Sequence, residues 1–296
     1  MRVAITGASG LIGSALSVAL SRRGDEVVKL VRREPSGPGQ VRWAPDKGEL
    51  NSTELQGVSA VVNLAGAGIA DKRWTAAYKR TLLDSRVDST RTVVRAITEL
   101  DEPVRLVNGS AMGYYGDRGD EVLDEDAAAG AGFLAEVVTA WEAAAAEAVH
   151  QGLPVAYART GLVLSSAGGA MGRVLPLARL GLAGPLGNGR QWWSWITLRD
   201  EVAALIHLID HPEVTGPVNL GGPEPVRQRD AMKALGVVLH RPALLPAPTP
   251  ALRLVLGEMS ADILASARMS PKALQESGFE WTDRTVADGM RYAAGV

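Results

Sequence analysis

Short, nearly continuous apolar runs alternate along the chain with longer stretches in which apolar side chains recur at helical spacing. The runs at Arg2–Ile5, Glu26–Val31, Val58–Leu64, Val104–Asn108, Val155–Ala158 and Val218–Leu220 predict strands. The stretches Leu11–Arg22, Ala76–Thr98, Phe133–Val149 and Thr197–Asp210 predict helices. In Ala76–Thr98 the apolar positions Leu82, Val87, Val94 and Ile97 sit among charges, as the single buried stripe of a helix requires. Strand and helix in alternation predict an α/β protein with a parallel sheet and crossover helices. Unbroken apolar strands fit such a sheet, because both of its faces are covered.

The rhythm breaks near residue 165. Gly and Pro become frequent in AGGAMGRVLPLARLGLAGPLGNG, and Trp192, Trp193 and Trp195 follow. LHRPALLPAPTPALR reads as a connector before a last helical stretch that contains SPKALQESGF. The expected division is a first domain over 1–165, to which 190–222 returns, and a smaller C-terminal domain from 166–189 and 223–296.

Composition excludes several functions. A formal net charge of -2 and a pI of about 6.1 leave no bulk footprint for nucleic acid or an anionic membrane. With no cysteine there is no thiolate nucleophile and no disulfide. The four histidines, His150, His207, His211 and His240, are scattered, so no metal is expected. No stretch reads as a signal peptide or a membrane span. The expectation is a cytoplasmic protein that handles a small-molecule substrate, with neither nucleic acid nor membrane as partner.

Residues 3–16, VAITGASGLIGSAL, place a glycine-rich turn between the first strand and the first helix. Gly7 permits a sharp turn, Gly10 lets a pyrophosphate approach the backbone, and Gly13 lets the helix pack on the strand. The helix N-terminus then offers free N–H groups and partial positive charge to phosphates. The same turn also serves α/β proteins that bind S-adenosylmethionine or nothing. A dinucleotide is favoured by the strand before it and the helix after it. An NAD site sets Asp or Glu at the end of the second strand to hold the ribose 2′-OH. Here EVVKLV ends in Arg32-Arg33, and guanidinium suits a 2′-phosphate instead. The cofactor expected is NADP(H).

TGASGLIG resembles the short-chain dehydrogenase/reductase superfamily, and its extended branch in particular. LAGAGIADKRW, LLDSR, SAMGYYG, GFLAEVVTAWEAAA, ARTGLVLSSAGGAM, LGLAGPLGNGRQWWSWITLRD and SPKALQESGF together resemble the YfcH-like "epimerase family" proteins, atypical members of that branch. The resemblance covers nearly the whole chain. It implies a Rossmann doubly wound parallel sheet that binds NADP(H), with a smaller C-terminal α/β domain. It implies an oxidoreductase or nucleotide-sugar-epimerase-like enzyme of unestablished substrate. It also implies cofactor contacts at Gly7, Ser9, Gly10, Leu11, Ile12 and Gly13, at Arg32 with Arg33 in support, at Leu64, Ala65, Gly66 and Arg86, and at Thr160, Gly161 and Leu162 beside the nicotinamide. Pairing of two copies through a bundle of helices, a homodimer, is implied by the family and not required by the residues.

Superfamily catalysis uses Ser, Tyr and Lys, the last two as YxxxK on one helix face. The corresponding helix here, FLAEVVTAWE, holds neither: Leu134 and Val138, or Phe133 and Val137, occupy the two positions. Asn108–Gly116 resembles the SSxxVYG segment. Ser110 matches the catalytic serine if one residue is inserted before Tyr115, and Ala111 matches it otherwise. Tyr114 and Tyr115 are the candidate proton donors. The glycines and tryptophans of GNGRQWWSWI are expected to border the substrate, with one or two tryptophans in the core and one facing the cleft. Asp200 is expected to cap its helix. Two readings stay open: a reductase or epimerase-like enzyme, and a non-catalytic NADP(H)-binding redox sensor or interaction protein.

Overall fold

A computed structural model describes all of residues 1–296. The strands β1 (Arg2–Thr6), β2 (Glu26–Val31), β3 (Gln40–Arg42), β4 (Ala60–Asn63) and β5 (Arg105–Ala111) join strands Val155–Thr160 and Gly216–Leu220 in one seven-stranded sheet. Reading across it from β3, the order is β2, β1, β4, β5, Val155–Thr160, Gly216–Leu220. This is the parallel, doubly wound order, reversing direction between β1 and β4. Helix α1 (Leu11–Arg23) leads from β1 to β2, and α2 (Ala76–Thr98) from β4 to β5.

Local chemistry sets these boundaries. Gly24, at φ 92°, closes α1 through its N–H to the Leu20 and Ser21 carbonyls, in a conformation that disfavours any side chain. Thr75 caps α2 by accepting from the Tyr78 N–H, a contact worth about 1 kcal/mol. The apolar stripe of α2 (Leu82, Val93, Val94, Ile97) is buried. Three expectations change. Helix α3 (Phe133–Ala143) ends short of the expected Val149, and Ala146–His150 forms a separate helix. The break is a tightened turn, with Ala145 N–H bonding the Glu142 carbonyl, and it tucks Ala145 and Ala148 into the sheet core. Strand β3, only three residues in a Gly- and Pro-rich stretch, gave no pattern to read. The proline-rich connector contains a helix, Thr249–Leu256, opened by Pro250 in its first turn, where a missing N–H costs nothing.

Cα proximity divides the chain into two compact units: residues 1–110, 137–158 and 202–218, and residues 111–136, 159–201 and 219–296. The segments 111–136, 159–165, 190–201 and 219–222, expected with the first domain, fall in the second unit. The first unit's core packs Val28, Leu30, Trp43, Val61, Val93, Ile97 and Leu106. Arg105 is buried there and donates to the carbonyls of Leu208, Pro212 and Val214, which satisfies its guanidinium without a carboxylate. The second unit's core gathers Leu164, Met171, Leu175, Trp195, Met232, Leu235 and Met290.

Candidate active site

In the first unit the glycine turn is shaped by backbone crowding. A Cβ at Gly13 would lie 2.3 Å from the Gly7 carbonyl oxygen, and one at Gly7 (φ 65°) would lie 2.7 Å from the Leu64 carbonyl oxygen. Thr6 holds the neighbouring turn: its Oγ1 donates to Asn63 Oδ1 at 2.7 Å and accepts from the N–H groups of Leu64 and Ala65. Asn63 in turn donates to Thr90 and Asn108. The carboxyl ends of β1, β4 and β5 are thereby locked together. Helix α1 begins at Gly10 with no side-chain cap and no acidic residue in its first turn. The N–H groups of Leu11, Ile12 and Gly13 have no partner within the helix and carry its positive end. Ser9 and Gly10 are exposed beside them.

Arg32 and Arg33 follow β2, both exposed. Glu34, the one carboxylate nearby in sequence, is ion-paired with Arg42. Arg86, on α2, is half-buried beside Gly66, and a Cβ at Gly66 would lie 3.1 Å from its guanidinium carbon. Its Nη1 donates to the carbonyls of Ala67 and Leu82, and its guanidinium lies 5.2 Å from the Trp141 ring. With no carboxylate beside it, burial pushes Arg86 down to about 10. Trp141 itself is buried against Gly109, and its Nε1–H has no partner. Of the residues implied to meet the cofactor, the structure brings Gly7, Gly10, Gly13, Leu64 and Ala65 into one cradle and places Arg86 against Gly66.

The candidate catalytic residues fare unequally. The Ser110 hydroxyl donates to Glu142 Oε1 at 2.6 Å, so its proton is committed within the first unit. Strand alternation turns Ala111 to the other face of β5. Tyr115, in the second unit, is fully buried, a setting that does not suit a proton donor to substrate. Its hydroxyl sits 2.7 Å from Asn219 Oδ1 and 3.0 Å from the Asp124 carbonyl, and accepts from Arg159. Burial also raises its pKa. Tyr114 is partly exposed and its hydroxyl bonds to no other residue. The Arg159 guanidinium lies 3.5 Å from its ring centre. No role in the site was read for Arg159 in the sequence, although a charge inside the apolar strand VAYART must find partners.

Thr160, Gly161 and Leu162 lie in the second unit. Gly161 is required because its N–H bonds the Leu220 carbonyl while a Cβ would lie 2.3 Å from the Ser194 carbonyl oxygen. Thr160 donates to Glu201 Oε1 at 2.8 Å. Glu201 is fully buried, its Oε2 has no partner, and desolvation lifts it to about 8. Asp200 does not cap its own helix. It accepts from the N–H groups of Thr282 and Asp283, 2.9 Å each.

The aromatic segment divides as expected in part: Trp193 and Trp195 are buried and Trp192 is not. The Trp192 ring is already covered, with the Arg227 and Arg268 guanidiniums 4.1 and 4.4 Å from its centre and its Nε1–H on Asp120. The polar side chains beside the tryptophans serve the backbone: Ser194 donates to the Ala267 carbonyl and Gln191 to the Leu186 carbonyl. Beside Trp192 a polar cavity of about 420 Å³ is lined by Asp117, Asp120, Asn188, Arg190, Gln191 and Arg227, among others.

Comparison with known proteins agrees with this architecture. Residues 3–221 match the NAD dependent epimerase/dehydratase family, and residues 247–293 match a domain of unknown function, DUF1731. An epimerase family protein of Mycobacterium bovis is 44% identical over 292 residues, covering 98% of this chain and 97% of that protein. A crystal structure of the human epimerase family protein SDR39U1 with NADPH superposes with a TM-score of 0.89 at 31% identity, covering 100% of this chain and 99% of that one. A nucleoside-diphosphate sugar epimerase from Corynebacterium glutamicum superposes with a TM-score of 0.81 at 34% identity, this chain spanning 58% of its length. With the Rossmann sheet, the glycine turn and these matches in hand, the chain belongs to the NAD-dependent epimerase/dehydratase family, within the extended short-chain dehydrogenase/reductases.

Proposed function

We propose that this protein is an NADP(H)-dependent reductase of a small carbonyl or sugar-like substrate. The observation that carries the cofactor choice is the end of β2: two exposed arginines, and a neighbouring glutamate already neutralised by Arg42. A ribose 2′-OH finds no carboxylate to receive it there, whereas a 2′-phosphate finds two guanidiniums. The human relative solved with NADPH supports the same choice. The uncapped start of α1 and the cradle that any Cβ at Gly13 would fill suit the pyrophosphate. Arg86, desolvated without a carboxylate, suits a further phosphate oxygen. The bound dinucleotide supplies hydride.

The chain's own residues must supply a proton. Tyr114 is the donor in this reading, since its side chain is partly exposed and its hydroxyl bonds to no other residue, and Arg159 fixes its ring by stacking. Ser110 braces Glu142 rather than the substrate oxygen. Reduction is favoured over epimerisation because the base-forming lysine of YxxxK is missing. The cavity beside Trp192, with its asparagine, aspartates and arginines, suits a polyhydroxylated substrate.

A second reading is favoured by one observation. Leu134 closes over Gly113, and Val137 and Val138 are buried, so apolar side chains fill the helix positions where the dyad would stand. A non-catalytic NADP(H) sensor would look the same there. Calorimetric titration tests the cofactor claim: NADPH binds at least tenfold more tightly than NADH. Equal affinities would refute it.

A further inference from the structure

The second unit leaves an apolar surface uncovered. Eight of the thirteen large hydrophobic side chains that the chain exposes fall between residues 177 and 255. Leu180, Leu244, Leu254 and Val255 are 72%, 80%, 78% and 72% exposed. Two segments come together to make the surface. Ala247 N–H donates to the Pro185 carbonyl, Arg241 Nε to the Arg179 carbonyl, and Leu245 backbone lies against Gly184. From Arg241 to Glu258 no residue is buried, although the stretch includes the helix TPALRLVL over Thr249–Leu256. Exposed apolar area of this extent marks a contact surface.

Charge identifies what it contacts. Residues 169–189 and 235–257 contain no Asp or Glu. Arg179, Arg241 and Arg253 are exposed there and pair with no carboxylate; the first two donate only to backbone carbonyls. A second copy meeting this face through the same two stretches would bring up no Asp or Glu to pair with Arg179, Arg241 or Arg253. The run from Pro242 to Pro250 carries four prolines, which have no N–H to strip of water, and Leu244 and Leu245 project from it. Projecting leucines, a donor-poor backbone and unpaired arginines match the headgroup region of an anionic bilayer. We propose that the second unit docks on anionic phospholipid, with Leu244, Leu245 and the helix Thr249–Leu256 entering the headgroup layer and Arg179, Arg241 and Arg253 meeting the lipid phosphates. The net charge of -2 does not oppose this, because the stretches 169–189 and 235–257 carry arginine and no Asp or Glu.

Sedimentation of the full chain with vesicles tests the proposal, using phosphatidylcholine alone or mixed with phosphatidylglycerol. The protein pellets with the mixed vesicles and is released by salt. Combining Leu244→Glu with Leu254→Glu lowers binding, and Arg179→Glu with Arg241→Glu lowers it by on the order of tenfold or more. Melting temperature stays unchanged in the Leu244→Glu and Leu254→Glu variant, whose two side chains are exposed; a fall confined to the arginine variant reports the lost bonds to the Arg179 and Ala294 carbonyls, and the leucine variant then decides. Failure to pellet with either vesicle overturns the proposal, as does equal binding to both that the variants leave intact. A concentration-dependent dimer that Leu244→Glu splits, with no vesicle binding, assigns the face to a second copy and overturns it too.

Discussion

Ser110 and Glu142 are joined by a 2.6 Å hydrogen bond from hydroxyl to carboxylate. The serine expected to hold a substrate oxygen thus has its proton spent, and the proposed reductase takes its proton from Tyr114 instead. Tyr114→Phe slows deuteride transfer from labelled NADPH by about a hundredfold or more, the scale of a lost general acid. Ser110→Ala slows it less than tenfold and costs about 1 kcal/mol of stability. Comparable losses in both variants would return Ser110 to the chemistry.

Tyr115→Phe separates the two tyrosines. Its hydroxyl is enclosed by Asn219, Asp124 and Arg159, so removing it strands buried polar groups and destabilises by about 1–3 kcal/mol. Turnover of the folded variant is retained. Chemical denaturation read beside single-turnover kinetics checks both halves.

Arg32→Ala together with Arg33→Ala weakens NADPH by roughly ten- to a hundredfold, as the loss of charge-assisted bonds to phosphate requires, and leaves NADH within about threefold. Titration calorimetry gives both numbers. Parallel losses for the two dinucleotides would place these arginines away from the 2′-phosphate.

Gly13→Ala drives a methyl group to within 2.3 Å of the Gly7 carbonyl oxygen. The atoms it meets are backbone and not the end of a flexible side chain, so stability falls by about 1–3 kcal/mol and NADPH binding falls with it. A thermal melt with and without NADPH checks this: the variant loses most of the ligand-induced rise in Tm.

Glu201 imposes a pH signature. Its pKa lies near 8 in the folded chain against an ordinary 4.5, so the folded state keeps a proton that the unfolded state releases. Between those values the folded state binds more protons, and stability falls as pH rises. The contribution is complete below the ordinary glutamate value and lost once pH passes about 8. Glu201→Gln, neutral throughout, flattens that slope and is the more stable protein at pH 9. Denaturation midpoints of the two proteins across pH 5 to 9 check it; parallel curves would contradict it.

The glycine turn, the two arginines after β2 and the span of α2 were legible because each is written in consecutive residues. What escaped the sequence depends on partners far along the chain. Ser110 meets Glu142 across 32 positions and Thr160 meets Glu201 across 41, and no local pattern announces either bond. Asp200 sits where a helix cap belongs, yet serves backbone N–H groups 82 and 83 residues away. The tryptophans could be sorted only roughly, because Trp192 is claimed by arginines from two separate segments.

Incubation of the purified protein with NADPH deuterated at C4 and a metabolite extract, followed by mass spectrometry, tests the reductase claim directly. The account predicts a deuterium-labelled product that disappears with Tyr114→Phe. Tight binding of NADPH with no label transferred to any metabolite would contradict it, and would make the protein a sensor of NADP(H) instead.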